Sequence, residues 1–262
     1  MKLGLIQMPT GPDALSKIRE YIEKVSSADI VILPEIFNAP YSNEGFRQYA
    51  EPAGGKTYNF LSAVAKEFGV YLVGGSIPER DGEKIYNTAF VFSPEGKEVA
   101  RHRKAHLFDI DVIGGQKFRE SDTLTPGDEV TVFDTPFGKV GLCICFDIRF
   151  AEFSLAMAKK GADIIIVPAA FNMTTGPLHW ELLFRARAVD NQVFTVGVAP
   201  ARDESADYIS YGNSIVVSPM GQIIERFDEK AQAKIVEIEL SQVESVRTQI
   251  PTLSARREAL YK

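Results

Sequence analysis

The sequence has few of the residues from which metal centres and disulfide frameworks are built. It contains two cysteines, Cys143 and Cys145, three histidines and one tryptophan. A disulfide between cysteines two positions apart would be badly strained, so both are expected to be reduced, as is typical of a cytoplasmic protein. Because the histidines and cysteines lack metal-ligand spacing, we predict no zinc site or other metal centre.

Positive charge and long apolar runs are also scarce. The chain has 29 basic and 35 acidic residues, which gives a formal net charge of −6. The nearest basic cluster, Arg101, Arg103 and Lys104, is too short to displace counterions from a nucleic acid or an anionic membrane. No apolar run approaches the roughly 20 residues of a membrane-spanning helix, and the N-terminus lacks a cleavage site. We therefore expect no nucleic-acid partner, no membrane contact and no secretory signal.

Apolar strands and amphipathic helices alternate along the chain. No linker or low-complexity tract interrupts them, so residues 1–262 are expected to form a single domain. Their periodicity predicts strands over residues 3–8 and 28–33 and helices over residues 14–27 and 60–68. Two later segments, residues 88–103 and 130–145, have the turn signals of β-hairpins.

A weak internal repeat defines the predicted architecture. Residues 28–34 (ADIVILP) resemble residues 162–168 (ADIIIVP), and residues 87–101 resemble residues 213–226, each with a Ser-Pro-x-Gly turn. Because two pairs of motifs occur in the same order, each half is expected to contain the same elements. The fold class that buries every apolar face is α/β, a four-layer α-β-β-α sandwich of two mixed sheets with helices outside.

The repeat also exposes an asymmetry at Glu35. This residue follows the first motif, whereas Ala169 follows the second. Ligand sites in α/β sheets lie beyond the carboxyl ends of strands, so an acid in only one half is a candidate for chemistry. A capping or ion-paired carboxylate is the alternative interpretation.

Cys145 ends an apolar strand and precedes a helix predicted to begin near Ala151 or Glu152. A strand that turns sharply into a helix lifts one side chain out of the sheet and directs backbone N–H groups at the group it attacks. A thiol there is a candidate nucleophile, although the more ordinary interpretation is that both cysteines are small core residues. We assign Cys143 to the core and Cys145 to the turn.

The remaining polar candidates are less informative alone. Lys104 lies at a strand end within a basic run, where a solvated lysine is the ordinary outcome, and Glu120 gives no signal by itself. A Cys–His pair would need His102, His106 or His179 beside the cysteine. His179 lies on a predicted helix with an apolar face, where a structural role is expected, and His102 could only support Lys104 from the same strand face.

Three short segments together resemble the motifs of the nitrilase superfamily of carbon–nitrogen hydrolases. They are residues 33–35 (LPE), 103–107 (RKAHL) and 141–150 (GLCICFDIRF), in the expected order over almost the whole chain. The resemblance implies a Glu35–Lys104–Cys145 catalytic triad. It places at Glu120 the second glutamate that orients the substrate and the lysine. It also implies a homodimer in which the helices after the cysteine pack together. The candidates for that interface could equally belong to the core of one chain: Phe150, Phe153, Leu155 and Met157.

Within the superfamily, four stretches are similar to the omega-amidase branch: residues 33–41, 106–111, 170–181 and 187–192. Enzymes of that branch release ammonia from the terminal amide of short dicarboxylate monoamides such as 2-oxoglutaramate and succinamate. The sequence departs from the branch at Phe146, where tyrosine is common, and in residues 113–117, a loop that often begins with Pro-Gly. The alternatives are an amidase for deaminated glutathione or an N-carbamoyl amine, and a non-catalytic interaction protein.

The resemblance gives each residue an expected role in amide hydrolysis, which needs no metal or organic cofactor. Glu35 takes the thiol proton, Cys145 attacks the amide carbon, and a thioester forms and is hydrolysed. Lys104 and the backbone N–H of Phe146 hold the developing negative oxygen. We also expect the positive charge of Lys104 to lower the pKa of Cys145.

A substrate with its own carboxylate needs a cation in the pocket. Arg202, beyond a strand end, is the first candidate because a guanidinium binds a carboxylate in bidentate fashion. An ion pair with Asp203 or Glu204 is the alternative. Arg149 is expected to be structural because acidic residues lie close to it in the sequence. Three residues are predicted to line the acyl pocket: Tyr41, Phe171 and Thr174.

Overall fold

The computed structural model describes residues 1–261 as two mixed β-sheets packed face to face with helices outside. The first part of the chain supplies most of one sheet and its helices. In chain order the elements are β1 (Lys2–Gln7), α1 (Leu15–Glu23), β2 (Ile30–Ile32), α2 (Asn43–Tyr49), α3 (Lys56–Phe68), β3 (Tyr71–Val73), β4 (Ile77–Asp81), β5 (Lys84–Phe92) and β6 (Glu98–Arg103).

The rest of the chain supplies a small hairpin, the second sheet and three more helices. In chain order these are β7 (Asp109–Asp111), β8 (Lys117–Arg119), β9 (Thr131–Thr135), β10 (Gly138–Leu142), α4 (Ala151–Lys159), β11 (Ile164–Pro168), α5 (Gly176–Asn191), β12 (Phe194–Val198), β13 (Ile215–Val217), β14 (Ile223–Arg226), β15 (Gln232–Glu237) and α6 (Ser241–Gln249). Short 3₁₀ turns cover Glu120–Asp122, Cys145–Arg149 and Glu258–Leu260.

Each sheet has parallel strands at its centre and antiparallel strands outside. The first sheet has the order β15-β1-β2-β3-β5-β4, with β6 also paired to β5, and the second has the order β14-β13-β12-β11-β10-β9. Strands β1, β2 and β3 are parallel to one another, as are β10, β11 and β12. The continuous runs of β-branched residues in β2 and β11 suit strands that are buried on both faces.

Apolar side chains fill three interfaces. Between the sheets, Leu5 and Ile32 belong to the same buried cluster as Leu142 and Ile166. On the outer face of the first sheet, residues of α1 and α3 pack in a second cluster, and α4 and α5 cover the second sheet. Burying an aliphatic side chain of this size contributes roughly 1.5–3 kcal/mol. The structure is the predicted four-layer α-β-β-α sandwich.

The predicted repeat is also present. Strands β2 and β11 are central parallel strands of their sheets, and the two Ser-Pro-x-Gly turns close corresponding hairpins. In each turn the glycine N–H donates to the serine carbonyl at 2.8 Å, from Gly96 to Ser93 and from Gly221 to Ser218. The sheets are therefore built from equivalent units.

Several predicted boundaries were wrong by a few residues. The helix predicted over residues 14–27 ends at Glu23, because the chain turns back through Val25 and Ala28 to begin β2. The second helix begins at Lys56, directly after Gly55, rather than at residue 60. The strand predicted to reach Cys145 ends at Leu142.

Candidate active site

Glu35 lies just beyond the carboxyl end of β2, in a tightly crossed piece of backbone. The next residue, Ile36, has a φ of 45°, in the left-handed region that β-branched residues rarely adopt. Gly75, with a φ of 57°, passes so close that a Cβ there would lie 2.1 Å from the carbonyl oxygen of Pro34. Only glycine therefore fits this crossing, which sets the position of Glu35.

Cys145 occupies a strained turn between β10 and α4. Its φ of 46° is again left-handed, and it begins the 3₁₀ turn that leads to Ala151. Such conformations persist where the surrounding structure holds them, and they occur often at functional sites. Cys143 is completely buried in the core and Cys145 is 3% exposed, so the core and turn assignments agree with the sequence prediction.

Lys104 lies directly after β6, between two carboxylates. Its ammonium nitrogen Nζ is 2.9 Å from Oε1 of Glu35 and 2.9 Å from Oε1 of Glu120. All three side chains are fully buried. A buried ion-pair network of this kind is costly to desolvate and persists when its hydrogen bonds are satisfied, as they are here.

The Glu35 carboxylate is held from several sides. Its Oε1 accepts hydrogen bonds from Nδ2 of Asn87 at 2.8 Å and from Lys104, and it lies 3.3 Å from the Tyr41 hydroxyl oxygen. Its Oε2 accepts from the backbone N–H of Ala170 at 2.7 Å. The capping carboxylate considered from sequence is therefore part of a larger network of side chains.

Glu120 is fixed in the same way. Its Oε2 accepts from the backbone N–H of Phe108 at 2.7 Å, and its Oε1 accepts from the Tyr41 hydroxyl at 2.7 Å. Tyr41 thus contacts both carboxylates beside Lys104. Glu120, which gave no signal alone in the sequence, holds the lysine from the side opposite Glu35.

The charges around Cys145 make its thiol a weak acid. Burial raises the pKa of Cys145 well above its usual range, and the adjacent Glu35 carboxylate raises it further. The positive charge of Lys104 lowers this pKa, as the sequence predicted, but burial and Glu35 outweigh its effect. The resting nucleophile is a neutral thiol that must lose its proton to a base.

Burial and neighbouring charges also shift the pKa values of Lys104 and Glu120. Burial by itself lowers the pKa of Lys104, but the carboxylates of Glu120 and Glu35 outweigh it and raise the pKa above its ordinary value. Burial raises the pKa of Glu120, and Glu35 adds to that increase against the opposing effect of Lys104. Lys104 is therefore an ammonium group throughout the physiological pH range.

A cavity of about 600 Å³ opens onto Glu35. Tyr41 forms part of its wall, stacked on Tyr208 with ring centroids 4.3 Å apart. Arg202 also lines it, donating from Nη2 to the carbonyl of Tyr211 at 3.0 Å. Its Nη1 lies 3.5 Å from the exposed carboxylate of Glu204, so the cavity placement and the ion pair considered from sequence both occur.

The other residues predicted to contact the substrate have different surroundings. Phe171 is buried edge-on against Trp180, and Thr174 contacts Gly115 near the β7–β8 hairpin. The ring of Phe146 packs edge-on against Phe108. None of the three predicted residues lines the cavity, and their contact with a substrate stays a prediction.

Arg149 packs against aromatic rings and His179 rather than against the acidic residues beside it in the sequence. Its guanidinium carbon lies 5.4 Å from the centroid of Phe146 and 4.9 Å from that of Phe171. Burial lowers the pKa of Arg149, and Cys145 is close enough to affect it as well. Its Nε is buried without a hydrogen-bond partner among residues 1–261. Arg149 is therefore a cation with unused donor capacity, packed against Phe146, the residue that follows Cys145.

The histidine rings bond to residues other than the cysteine. His179 shares a hydrogen bond with Nη1 of Arg149 at 3.1 Å, and His102 and His106 both contact Asp147. Within residues 1–261, no group of three or more His, Cys, Asp or Glu side chains is arranged to hold a metal ion. In the same part of the chain, no helix has the length and apolar character needed to cross a membrane.

Several residues of the site were missed from the sequence. Asn87, Tyr208 and the backbone N–H of Ala170 carry no local motif that distinguishes them. Asn87 is 52 residues from Glu35 in the chain, and Ala170 is 135 residues away. The repeat is the one signal that points to Ala170, because the end of its second motif corresponds to the position of Glu35.

Comparison with known proteins matches this arrangement to a family. The family model for carbon–nitrogen hydrolases matches residues 2–248. The chain belongs to the carbon–nitrogen hydrolase family. The omega-amidase NIT2-A of Xenopus laevis is 49% identical to this hydrolase over 99% of its length and 96% of the relative. The mouse omega-amidase NIT2 is 50% identical, with the same coverage.

A solved structure supports the same relationship. The crystal structure of Saccharomyces cerevisiae Nit3, a member of branch 10 of the nitrilase superfamily, has a TM-score of 0.90 and 40% identity, covering 98% of this chain and 96% of that one. The α-β-β-α sandwich is thus the nitrilase fold. This carbon–nitrogen hydrolase is an amidase.

Proposed function

We propose that this hydrolase removes ammonia from the terminal amide of a short dicarboxylate monoamide, such as 2-oxoglutaramate or succinamate, through a thioester on Cys145. The observation that carries the proposal is the buried cluster of Glu35, Lys104 and Glu120 beside that thiol. The full-length similarity to curated omega-amidases supports the substrate class.

In the first half of the reaction, Glu35 acts as the base. It removes the Cys145 proton as the sulfur attacks the amide carbon, which is necessary because the resting thiol is neutral. Lys104 and the backbone N–H of Phe146 hold the negative oxygen of the tetrahedral intermediate. When the C–N bond breaks, Glu35 returns the proton to the leaving nitrogen, and ammonia departs from a Cys145 thioester.

In the second half, Glu35 takes a proton from water, whose oxygen attacks the thioester carbon. The C–S bond breaks, the sulfur recovers the proton, and the carboxylic acid leaves. Glu120 holds the Lys104 ammonium throughout, since its carboxylate is 2.9 Å from Nζ. The chemistry needs neither a metal ion nor an organic cofactor.

Two arginines recognise the carboxylate of the substrate. Arg202, on the cavity wall, attracts the anion at the entrance, and Arg149, close to the thiol, binds it when the amide carbon reaches the sulfur. The short acyl chain favours Arg149 for the final contact, because only a nearby cation spans so short a distance. Its unpartnered Nε supplies a donor for a bidentate contact.

Steady-state ammonia release tests the substrate class. We expect succinamate and 2-oxoglutaramate to be hydrolysed with higher kcat/KM than deaminated glutathione or an N-carbamoyl amine. A higher kcat/KM for the N-carbamoyl amine would contradict the proposed substrate class and would favour a carbamoyl amine instead. Cys145→Ala is expected to abolish ammonia release, and unchanged release would mean that the chain is not the catalyst, as for a non-catalytic interaction protein.

A neutral substrate of matched length tests the arginines. Butyramide has a methyl group where succinamate has a carboxylate. We expect Arg149→Met to raise KM for succinamate by about tenfold or more, as for loss of a charge-assisted contact, and to leave butyramide little changed. Arg202→Met is expected to weaken the salt dependence of kcat/KM for succinamate alone. Equal effects on both amides would contradict the assignment.

A homodimer is the assembly that the surface supports. Leu178 and Leu182 of α5 are 70% and 63% exposed, and Val189 continues the same apolar face. Of the interface candidates chosen from the sequence, Phe150 is exposed, whereas Met157 is fully buried in the core and is unavailable for an interface. We expect light scattering to give a dimer mass and Leu182→Glu to give a monomer. A monomeric wild-type protein would contradict this proposal.

The chemistry requires a reduced Cys145, so we place the enzyme in the cytoplasm. Both cysteines are free, and neither is close to the surface. Cell fractionation with an antibody to the protein checks this placement, and recovery from an oxidising compartment would contradict it.

A further inference from the structure

Asp147 is a buried carboxylate whose two oxygens are both occupied. Oδ1 accepts from the backbone N–H and from the ring Nδ1 of His106, both at 2.8 Å. Oδ2 contacts Nε2 of His102 at 3.0 Å and accepts from the backbone N–H of Ile144 at 3.0 Å. Asp147 has no exposed surface. It takes no part in the chemistry described above.

The partners of Asp147 belong to two different pieces of the active site. Asp147 and Ile144 lie in the turn that carries Cys145, two positions after it and one before it. His102 and His106 lie two positions before and two positions after Lys104. One carboxylate therefore joins the segment that bears the nucleophile to the segment that bears the ammonium group.

The two histidines are themselves held in place. Nδ1 of His102 contacts the Thr131 hydroxyl at 3.0 Å, and that hydroxyl donates to the carbonyl of Arg101 at 3.2 Å. The ring of His106 stacks on Phe150 with centroids 3.7 Å apart. Both histidine rings that contact Asp147 thus have a second partner, which makes the connection rigid.

We propose that Asp147 is a positioning residue that fixes the Lys104 ammonium relative to the Cys145 sulfur by joining His102 and His106 to the cysteine turn. The left-handed φ of Cys145 explains the need for such a device, because a strained turn keeps its shape only when its surroundings hold it. The proposal rests on the proposed function for the role of Lys104, but its geometry is independent of the substrate.

Glu79, a residue of β4, provides a matched control. It contacts the face of β6 opposite to the one that His102 presents to Asp147. Its buried carboxylate accepts from Nη1 of Arg101 at 3.0 Å, from Nε of Arg103 at 2.9 Å and from the Thr88 hydroxyl at 2.6 Å. Like Asp147, it is a buried acid held by two basic side chains from β6 and the residues that follow it: Arg101 and Arg103 for Glu79, and His102 and His106 for Asp147. Unlike Asp147, it has no contact with the cysteine turn among residues 1–261. A purely structural role predicts similar consequences for both acids.

The test compares Asp147→Asn with Glu79→Gln in three measurements: thermal unfolding, kcat and KM for succinamate, and the pH-dependent rate of Cys145 alkylation by iodoacetamide. Cys145→Ala gives the alkylation background. For Asp147→Asn we expect kcat to fall by about 10²-fold, as for a displacement near 1 Å, with KM little changed. The alkylation profile is expected to move to higher pH as Lys104 moves away. Glu79→Gln is expected to lower the unfolding midpoint and leave kcat and the alkylation profile unchanged.

Three results would overturn the proposal: a folded Asp147→Asn enzyme with wild-type kcat, one with an unchanged alkylation profile, or the same losses in Glu79→Gln. If Asp147→Asn does not fold, His106→Phe replaces it, because phenylalanine keeps the stacking on Phe150 and removes the ring hydrogen bond. We expect about a tenfold loss of kcat there, and wild-type kcat would again contradict the proposal. If wild-type protein does not hydrolyse succinamate but the alkylation profile still moves, the proposed function fails and the positioning role stands.

Discussion

The backbone N–H of Ala170 donates a hydrogen bond of 2.7 Å to Oε2 of Glu35, 135 residues earlier in the chain. Glu35 follows the first copy of the repeated strand motif, and Ala170 lies just past the corresponding end of the second. The contact therefore joins equivalent strand ends from the two sheets. One end supplies the carboxylate, and the other supplies a donor that orients it.

Replacing the base is expected to have opposite effects on thiol ionisation and on turnover. Glu35 raises the pKa of Cys145 through both its charge and its hydrogen bond. In Glu35→Gln, the thiol should therefore ionise at lower pH than in the wild type, while ammonia release is abolished because no base remains. Iodoacetamide alkylation as a function of pH and an ammonia assay measure the two effects. Alkylation that moves to higher pH would contradict the assigned charges.

Asn87 is expected to affect catalysis through its contact with Glu35. In Asn87→Leu, the hydrogen bond of 2.8 Å to Oε1 is lost, and the carboxylate gains freedom to move. We expect kcat to fall by about tenfold, which corresponds to about 1.4 kcal/mol in the barrier and is typical of one hydrogen bond to a charged group. Asn38→Leu is the control, since Asn38 is a buried amide whose side chain bonds to Thr57. Equal losses of kcat would remove the special role of Asn87.

Alanine substitutions at two glycines distinguish the effect of a steric collision from the effect of backbone strain. Gly75 and Gly82 have φ values of 57° and 59°. Alanine at either position is therefore expected to lower the free energy of unfolding by roughly 1–2 kcal/mol, the cost of the left-handed conformation. A Cβ at Gly75 would also collide with Pro34, next to Glu35, whereas a Cβ at Gly82 meets no atom of the described residues within 4 Å. Gly75→Ala should therefore lower the free energy of unfolding by more than Gly82→Ala does, and it alone should reduce kcat. Urea titration and an activity assay measure both effects, and matching results would be inconsistent with the close approach.

Asp147 is expected to contribute to stability against acid. Burial alone raises its pKa, but the hydrogen bonds from His102 and His106 outweigh this effect and lower the pKa to about 2 from the ordinary 3.8. A depressed pKa stabilises the fold above the unfolded-state pKa, and this contribution disappears as the pH falls through the folded-state value. It amounts to about 2 kcal/mol. Urea unfolding of wild type and Asp147→Asn should therefore differ most above about pH 4 and converge near pH 2. A constant difference would contradict this assignment.

The sequence predicted the sandwich because its information is local and repeated. The apolar runs over residues 28–34 and 162–168 specify equivalent buried strands, and the turn before α4 identifies Cys145. The partners that complete the site are contacts across the fold. Asn87 has no motif of its own, and Asp147 joins segments about 40 residues apart, so neither could be assigned before the strands were in place.

The electrostatics of the site could not be predicted from sequence for a similar reason. A lysine near a cysteine indicates a lowered thiol pKa only if no carboxylate is equally close. Here Glu35 and burial outweigh Lys104 in setting the pKa of Cys145, which depends on distances between three separate segments. Arg149 illustrates the same limit, because the acids beside it in sequence are not its partners in the hydrogen-bond network.

An intact-mass spectrum of the enzyme quenched during turnover of a slow monoamide, followed by peptide mapping, tests the central claim most directly. Nucleophilic attack by the thiol predicts an acyl adduct on the peptide that contains Cys145, decaying as the acid appears and absent from Cys145→Ala. Ammonia release that proceeds with the acyl group on another residue, or that persists in Cys145→Ala, would contradict it.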